Sequence, residues 1–310
     1  MRLGNAIVRA VRPRVERVVT TAVRAETERL ALQVGALQSR LVQAATYATI
    51  QEAEFKVFSQ NGEDGIIQYL LSKIPIGTAS FVEVGVQDYV ESNTRFLLMN
   101  NYWHGLIIDC GVVHVDYIQH QKFGWQYDIR AVSAFVTREN INEVVQRAGF
   151  TGDLGLFSLD IDGNDYWVLD ALEVVSPRIV IVEYNSVFGP SVAVTVPYDP
   201  VFDRSRVHYS NLYYGASLSA LAHLMQSRGY ALVGSNRAGN NAFFVRRDAL
   251  GDIRETSPAE CYVPSPFAES RDRSGALTYV RSMSARLELI GHLPVYDVLQ
   301  DSVVPLKALT

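Results

Sequence analysis

The sequence predicts an α/β fold, a doubly wound and mostly parallel sheet of seven strands that ends in a C-terminal antiparallel hairpin. The first observation is that short apolar runs rich in β-branched residues alternate with helical patterns up to about residue 182. The second is that the last two runs, 230–234 and 242–246, are joined only by residues 235–241. Because a connection this short cannot make a parallel crossover, these two strands are expected to pair as an antiparallel hairpin.

The elements follow in a regular order. Turn chemistry at residues 59–65 leads into an amphipathic helix, 66–74. Further helices are expected at 94–100, 139–148 and 217–228. The runs that predict the first five strands are 79–84, 105–108, 127–133, 154–159 and 179–182.

Residues 1–50 have a helical pattern of their own. Apolar residues recur at spacings of three and four in two sets that are out of phase, which predicts two coiled-coil-like seams joined by a skip. Pro13, within the first set, argues against an uninterrupted helix there. We expect this segment to make homo-oligomers. The alternatives are contact with an anionic membrane surface, through its many arginines, and a loosely ordered arm. The sets are Val8, Val11, Val15, Val18 and Ala22, then Leu30, Val34, Leu37, Leu41, Ala44 and Ala48.

Charge and composition limit the functional classes. Of a net charge of -5, residues 1–50 contribute eight Arg and three Glu, so the remaining chain carries -10 and does not suit nucleic acid. Two cysteines are too few for a disulfide framework, and we expect cytoplasmic residence, with peripheral contact at the inner face of a membrane as the alternative. We divide the chain into the helical segment 1–50, a catalytic domain at 51–250 and an extension at 251–310, with one helix at 275–289 and an apolar run at 294–298, packed on the domain.

Carboxylates and an amide follow the strand ends. Asp160 and Asp162 come after one apolar run, and Glu183 and Asn185 after the next. Ligands of open α/β sheets bind beyond the carboxyl ends of the strands, so we expect one crevice there. A hard cation such as Mg²⁺ would suit Asp160, Glu183 and Asn185, while the alternative is that Asp162 or Asp165 caps the helix that begins near Tyr166.

A general base and an acceptor site are expected from the segment 189–214. Of the six histidines, His208 lies in that segment and has a suitable intrinsic pKa for deprotonating a hydroxyl, although a lone loop histidine is usually only polar surface. The segment is long for a loop and carries prolines and aromatic residues, as an acceptor-binding lid would. Its aromatic rings would stack on sugar rings or pack in the core.

Several strings recur in order along the predicted elements. They are Phe58-Ser59-Gln60-Asn61-Gly62-Glu63-Asp64-Gly65, Val82-Glu83-Val84-Gly85, Glu91-Ser92-Asn93-Thr94, residues 158–167, Val182-Glu183-Tyr184-Asn185 and Tyr213-Tyr214-Gly215-Ala216-Ser217-Leu218. Together they resemble the FkbM-type branch of the class I S-adenosylmethionine-dependent methyltransferases. The resemblance covers about residues 55–248 and leaves the first 50 residues unexplained. The chain departs from the family pattern in the loop 85–89, which lacks a second glycine.

The resemblance implies a Rossmann-like fold and an O-methyltransferase that acts on a saccharide or a saccharide-linked hydroxyl, with S-adenosylmethionine and an optional Mg²⁺. Asp160 and His208 would be catalytic, and Asp162, Tyr184, Tyr213 and Tyr214 would contact the acceptor. The implied cofactor-binding residues are Glu83, Gly85, Asn93, Thr94, Asp109 and Asp160, with Asp109 on the ribose hydroxyls.

Two other functions fit part of the same sequence. Asp160-Ile161-Asp162 after an apolar strand also matches the Asp-x-Asp pattern by which glycosyltransferases hold a nucleotide-sugar through a cation. The hairpin and the acids at Glu83 and Asp109 argue against that alternative. A methyltransferase-like scaffold without catalytic activity is the third possibility.

Overall fold

The computed structural model describes the backbone of residues 2–120 and 123–310, without the side chains of residues 2–18, 21, 123 and 124. Its helices are α1 Arg2–Ala44, α2 Glu63–Lys73, α3 Arg95–Asn100, α4 Val112–His120, α5 Phe123–Gln126, α6 Ile141–Arg147, α7 Asp165–Ala171, α8 Arg204–Val207, α9 Leu218–Ser227, α10 Pro258–Cys261 and α11 Met283–Ile290. Its strands are β1 Ser80–Val84, β2 His104–Asp109, β3 Ile129–Ser133, β4 Gly152–Leu159, β5 Val175–Glu183, β6 Val194–Thr195, β7 Tyr230–Ser235, β8 Asn241–Arg246, β9 Pro294–Asp297 and β10 Ser302–Pro305.

The main sheet confirms the predicted fold class. Its seven strands lie in the order β3-β2-β1-β4-β5-β8-β7. The first five strands of the chain run parallel, while β8 pairs antiparallel with both β5 and β7. Buried apolar side chains cover both faces of the sheet, which is why its strands appear in the sequence as continuous apolar runs.

The register of the parallel strands gathers their carboxyl ends at one edge. Val84 pairs with Ile108 on one side and with Leu159 on the other, and Leu159 pairs with Val182. The residues that follow these positions are Gly85, Asp109, Asp160 and Glu183. One edge of the sheet therefore carries every strand end at which the sequence placed a cofactor or metal ligand.

A second, three-stranded sheet was not predicted. It has the order β10-β9-β6 and joins the segment 189–214, which we call the lid segment, to the C-terminal extension. The predicted helix at 275–289 is wrong in its first half, because α11 begins only at Met283. In place of that half, the chain makes a turn at Gly275 and a short bridge between Arg271 and Leu277.

The N-terminal segment is one helix and not two, since α1 runs without a break from Arg2 through Pro13 to Ala44. One face of α1 packs on the domain, where Glu28 forms an ion pair of 2.9 Å with the buried Arg95. The side chains of the first predicted seam lie mostly outside the described residues. The part of the chain that the structure describes contains no helix long and apolar enough to span a bilayer.

The turn before α2 depends on one buried carboxylate. Asp64 Oδ2 accepts hydrogen bonds of 2.7 to 2.8 Å from the backbone N–H groups of Val57, Phe58 and Ser59, and one from the Ser59 hydroxyl. Burial raises the pKa of Asp64 to about 6. The carboxylate thus satisfies three backbone donors that no helix or strand satisfies.

Asp64→Ala is therefore expected to destabilise the fold by about 3–5 kcal/mol, because several buried N–H groups lose their acceptor at once. The measurement is the free energy of unfolding from urea titration. The exposed Asp252→Ala is the matched control and should change it by less than about 0.5 kcal/mol. Equal effects of the two substitutions would contradict this role of Asp64.

Candidate functional site

A cavity of about 620 Å³ opens at the carboxyl edge of the parallel strands. The loops after β1, β2, β4 and β5 form its floor, and the lid segment and the C-terminal extension form its far wall. The residues that argue for its chemistry are Gly85, Asp109, Asp160, Asp162, Glu183 and Arg204.

Gly85 makes the turn that ends β1, and only glycine fits there. Its φ is +88°, in the left-handed region, and an added Cβ would lie 1.6 Å from the backbone oxygen of Asp160. Its N–H donates to the Ile108 carbonyl at 2.9 Å, which ties the turn to β2. The loop after β1 is thus held against the end of β4, at the cavity wall.

Asp109 ends β2 with its carboxylate fixed by the neighbouring loops. Its Oδ2 accepts from the backbone N–H of Gln87 at 2.7 Å, and its Oδ1 accepts from that of Gly111 at 2.7 Å. His114 Nδ1 lies 3.1 Å from Oδ1. A carboxylate oxygen can accept more than one hydrogen bond, so Asp109 is held in a set orientation and keeps capacity for a ligand hydroxyl.

Asp160 and Glu183 are neighbouring carboxyl groups in the cavity wall, with oxygen atoms within 4.8 Å of each other. Burial raises the pKa of both groups well above the ordinary range. The charges of Asp162 and Asp165 raise both pKa values further, and the charge of Asp160 also raises the pKa of Glu183. Glu183 Oε2 is buried and lacks a hydrogen-bond partner among the described residues. A cation bound beside the pair would stabilise its ionised form.

Asp162 completes a cluster of three carboxylates. Oxygen atoms of Asp160, Asp162 and Glu183 lie within 4.8 Å of one another. Asp162 does not cap α7. It has a φ of +54°, and its carboxylate faces Arg204 in an ion pair. The loop is held instead by the buried Asp165, which accepts from Ile161 N and Gly163 N at 2.9 Å each.

The donor set of this cluster fits a hard divalent cation. Three carboxylate oxygens are the ligands that Mg²⁺ takes, and a buried oxygen without a partner is one that a cation would satisfy. Asn185, which the sequence proposed as the third ligand, is not free for this role. Its Nδ2 donates to the Leu212 and Tyr214 carbonyls, and its Oδ1 accepts from Val187 N at 3.0 Å. Among the described residues, Asp162 is the third carboxylate beside Asp160 and Glu183.

Arg204 is the main residue that the sequence analysis missed. Its guanidinium contacts Asp162, lies 3.7 Å from Glu269 and stacks 3.8 Å from the Tyr214 ring centroid. Its Nε donates to the Asn211 carbonyl at 2.8 Å. Arg204 comes from the lid and Glu269 from the C-terminal extension. Arg204 therefore connects both segments to the acid cluster.

Glu83, Asn93 and Thr94 do not lie where a cofactor would need them. The buried Glu83 carboxylate accepts from the Ser92 and Thr94 hydroxyls and from the backbone N–H groups of Asn93 and Thr94. Asn93 Nδ2 donates to the Ser158 hydroxyl at 3.1 Å. These groups satisfy one another beneath the loop after β1 and are not part of the cavity wall. The structure therefore does not bring Glu83 to the cavity, where binding of the cofactor's ammonium group was predicted.

His208 also lies outside the cavity wall. Its Nδ1 is 2.7 Å from the Ser210 hydroxyl, and its ring packs on Tyr209 and His292. Burial, together with the charges of His292 and Arg273, lowers its pKa. The structure therefore does not bring His208 to the cavity, where a general base would be needed.

Of the three tyrosines predicted to contact the acceptor, only Tyr214 lines the cavity. Tyr184 is buried and donates its hydroxyl to the Val263 carbonyl at 3.0 Å, and Tyr213 donates to the Pro294 carbonyl. Both therefore anchor the C-terminal extension and do not face the cavity. Tyr214 does line it, beside Phe202 and Phe267. Burial and the neighbouring carboxylates raise the pKa of Tyr214.

Comparison with known proteins gives only a distant likeness. No protein-family model and no curated protein matches this sequence. Among solved structures, the O-methyltransferase from Bacillus cereus in complex with S-adenosyl-homocysteine is similar at 12% sequence identity and a TM-score of 0.36. The match covers 71% of this chain and 89% of the other chain. An S-adenosylmethionine-dependent methyltransferase from Clostridium acetobutylicum is similar at 10% sequence identity and a TM-score of 0.33. That match covers 54% of this chain and 83% of the other chain.

A third similar structure is TrmK from M. capricolum in complex with S-adenosyl-homocysteine, at 10% sequence identity and a TM-score of 0.34. The match covers 58% of this chain and 67% of the other chain. At such identities and TM-scores, the likeness does not establish what this chain binds. The chemistry of the chain has to be argued from its own cavity.

Proposed function

We propose that this chain is an S-adenosylmethionine-dependent O-methyltransferase of the FkbM type that acts on a saccharide or saccharide-linked hydroxyl. The observation that carries the proposal is the arrangement of Gly85, Asp109 and Asp160 on one wall of one cavity. A glycine-only turn permits a close approach of the cofactor to the backbone, and an acid at the end of the next strand accepts from ribose hydroxyls. S-adenosylmethionine, when bound, supplies a methyl group on a positively charged sulfur.

The charge of the cavity favours a cationic cofactor. Five carboxylates line it, those of Asp109, Asp160, Asp162, Glu183 and Glu269, against the two guanidinium groups of Arg204 and Arg286. An opposite charge close to a carboxylate stabilises its ionised form. The sulfonium of a cofactor in this cavity would therefore be held by charge, while the ribose hydroxyls of the cofactor would donate hydrogen bonds to Asp109.

The Asp160–Glu183 pair is the proton acceptor in this proposal. General-base catalysis works best when the pKa of the base lies near the working pH, and the pKa values of both carboxyl groups are raised. The Asp160 backbone lies against Gly85, so a cofactor bound over the Gly85 turn would lie next to the pair. Mg²⁺, if held by Asp160, Asp162 and Glu183, would supply further stabilisation of a developing alkoxide.

The far wall suits a neutral, ring-shaped acceptor. Phe202, Tyr214 and Phe267 present aromatic surface, while Arg204 and Glu269 offer hydrogen-bonding groups. Aromatic faces pack well against the apolar faces of sugar rings, and polar groups at the rim recognise their hydroxyls. A carboxylated or phosphorylated acceptor would meet repulsion from the acid cluster.

Calorimetric titration of the whole chain tests the function. The ligands are S-adenosylmethionine, S-adenosylhomocysteine, UDP-sugars and GDP-sugars, each with and without Mg²⁺. We expect binding of the two adenosyl compounds. Binding of a nucleotide-sugar in the presence of Mg²⁺, without binding of either adenosyl compound, would identify a glycosyltransferase instead and overturn the proposal. No binding of any of them would favour a scaffold.

The acid pair also predicts how stability depends on pH. The pKa of Glu183 is raised above its ordinary value of 4.5, so folding favours the protonated form. The wild type therefore loses stability as the pH rises from about 4.5 through the raised folded value. Without divalent cations, Glu183→Gln should raise the thermal midpoint by roughly 2–4 °C at about pH 8 and have less effect at about pH 5.

The matched control for this prediction is Glu173→Gln, at an exposed carboxylate just before β5. It should leave the midpoint unchanged at both pH values. A Glu183→Gln variant that is less stable than the wild type at the higher pH would show that the ionised pair is well compensated. That result would remove Glu183 as a proton acceptor.

A further inference from the structure

Helix α1 carries a row of exposed apolar side chains along the face that points away from the domain. We call this row the α1 seam. Its members recur at alternating spacings of three and four, apart from one polar position at Thr27, which is the pattern of a two-stranded coiled coil. They are Val23, Leu30, Val34, Leu37 and Leu41, which are 59%, 50%, 55%, 61% and 70% exposed.

The opposite face of α1 is fixed to the domain, so the helix cannot rotate to bury its seam. Ser39 donates to Gln68 at 2.9 Å within the contact, and Val42 is buried there. Gly35 lies so close to the domain that an added Cβ would be 2.4 Å from Val57 and 2.9 Å from Phe96. Any partner of the seam must therefore come from outside the chain.

We propose that a second copy of this chain covers the seam, with the two α1 helices antiparallel. A twofold axis near Leu32 then places Leu30 opposite the partner's Val34 and Val23 opposite the partner's Leu41. In the same register, Thr27 packs against the partner's Leu37. Each apolar side chain of the seam thereby gains an apolar or small neighbour.

The charges beside the seam determine the orientation. Glu26 and Arg40 flank the seam on the same side, one heptad on either side of Gln33. In an antiparallel pair, positions on that side face one another, so Glu26 of each copy meets the partner's Arg40. In a parallel pair, Glu26 would face the partner's Ala31 and Arg40 the partner's Ala45, with no attraction. Shifting the antiparallel register by one heptad also separates the two charges.

Association along this seam has a low entropic cost. Each helix is already ordered by its contacts with its own domain, including the ion pair between Glu28 and Arg95. Preformed surfaces avoid the ordering penalty that a free helical peptide would incur on pairing. Burial of five large apolar side chains on each copy then contributes to binding without that loss.

Sedimentation velocity of the full chain tests the proposal at micromolar concentration. We expect a species of twice the chain mass. Leu37→Glu should weaken the dimer by about 100-fold or more in Kd, because it buries a charge in a central layer. Leu299→Glu, at an apolar side chain that is 59% exposed elsewhere, is the matched control and should leave the dimer intact.

Charge reversal tests the antiparallel orientation. Glu26→Arg alone places two arginines opposite each other, and Arg40→Glu alone places two glutamates, so each should weaken the dimer by about tenfold. An equimolar mixture of the two single variants should recover wild-type affinity, because each unlike pair is then attractive. Circular dichroism melts of the variants check that their domains remain folded.

Three results would overturn the inference. The first is a wild-type chain that stays monomeric at these concentrations. The second is a dimer that neither Leu37→Glu nor the charge reversals affect, which would place the interface elsewhere. The third is a monomer that binds vesicles of anionic lipid and loses that binding in Leu37→Glu, which would assign the seam to a membrane surface.

Discussion

Gly85→Ala is expected to abolish binding of S-adenosylhomocysteine, with a loss of affinity of at least about 100-fold. The methyl group would lie 1.6 Å from the Asp160 backbone oxygen and 2.7 Å from its carbonyl carbon. Both are backbone atoms at the end of β4, so relief of the clash must move the strand ends apart. That movement would widen the wall on which the cofactor is proposed to lie. Isothermal calorimetry measures the affinity directly.

The control for Gly85→Ala separates strain from contact. Gly152 also has a positive φ, of +72°, but an added Cβ there would meet nothing within 4 Å. Gly152→Ala should therefore cost about 1 kcal/mol of stability and leave the affinity unchanged. If Gly85→Ala retains its fold and binds with wild-type affinity, the turn is not part of the cofactor site. If it fails to fold, the affinity of Asp109→Ala decides the same point.

Asp160→Asn is expected to remove methyl transfer, by at least about 1,000-fold, while the fold remains intact. The amide has the same shape, but it can neither take a proton nor supply a negative charge to a cation. Transfer is measured as acceptor-dependent release of S-adenosylhomocysteine, with neutral saccharides as acceptors. Stabilisation of the chain by Mg²⁺, measured by thermal shift, should be lost in parallel.

The matched control is Asp170→Asn, at an exposed carboxylate on α7. It should retain both activity and the response to Mg²⁺. Full turnover by Asp160→Asn would remove this carboxylate from the mechanism. Loss of turnover with an unchanged response to Mg²⁺ would leave Asp160 as the proton acceptor and exclude it as a cation ligand.

The sheet was predictable because its signals are local. Buried parallel strands appear as short apolar runs, and the brief connection at 235–241 admits only a hairpin. The carboxyl ends of the strands follow from the same pattern, which is why Gly85, Asp109 and Asp160 were found. In each case, the backbone position alone largely determines where the side chain can point.

Side chains that turn into their own loops were not predictable in this way. Glu83 lies two residues before Gly85 in sequence, yet its carboxylate points to the N–H and hydroxyl groups of residues 92–94. The Asn185 side chain likewise donates hydrogen bonds to backbone carbonyls at the end of the lid segment. From the sequence alone, a carboxylate that faces a cavity cannot be distinguished from one that accepts hydrogen bonds from its own loop, because both stand at the end of a strand.

Residues from distant segments were missed for a different reason. Arg204 and Glu269 reach the cavity only because the second sheet joins the lid to the C-terminal extension. That sheet depends on a two-residue strand, Val194–Thr195, which is too short to give a periodic signal. Similarly, the seam of α1 was visible as a pattern, but the face by which α1 contacts its own domain was not.

The most direct test of the central claim is a crystal structure of the chain with S-adenosylhomocysteine. The account predicts that the ribose hydroxyls lie within hydrogen-bond distance of the Asp109 carboxylate, that the nucleoside passes over the Gly85 turn, and that the sulfur faces the Asp160–Glu183 pair. A ligand bound outside this cavity, or one whose ribose makes no contact with Asp109, would contradict the account.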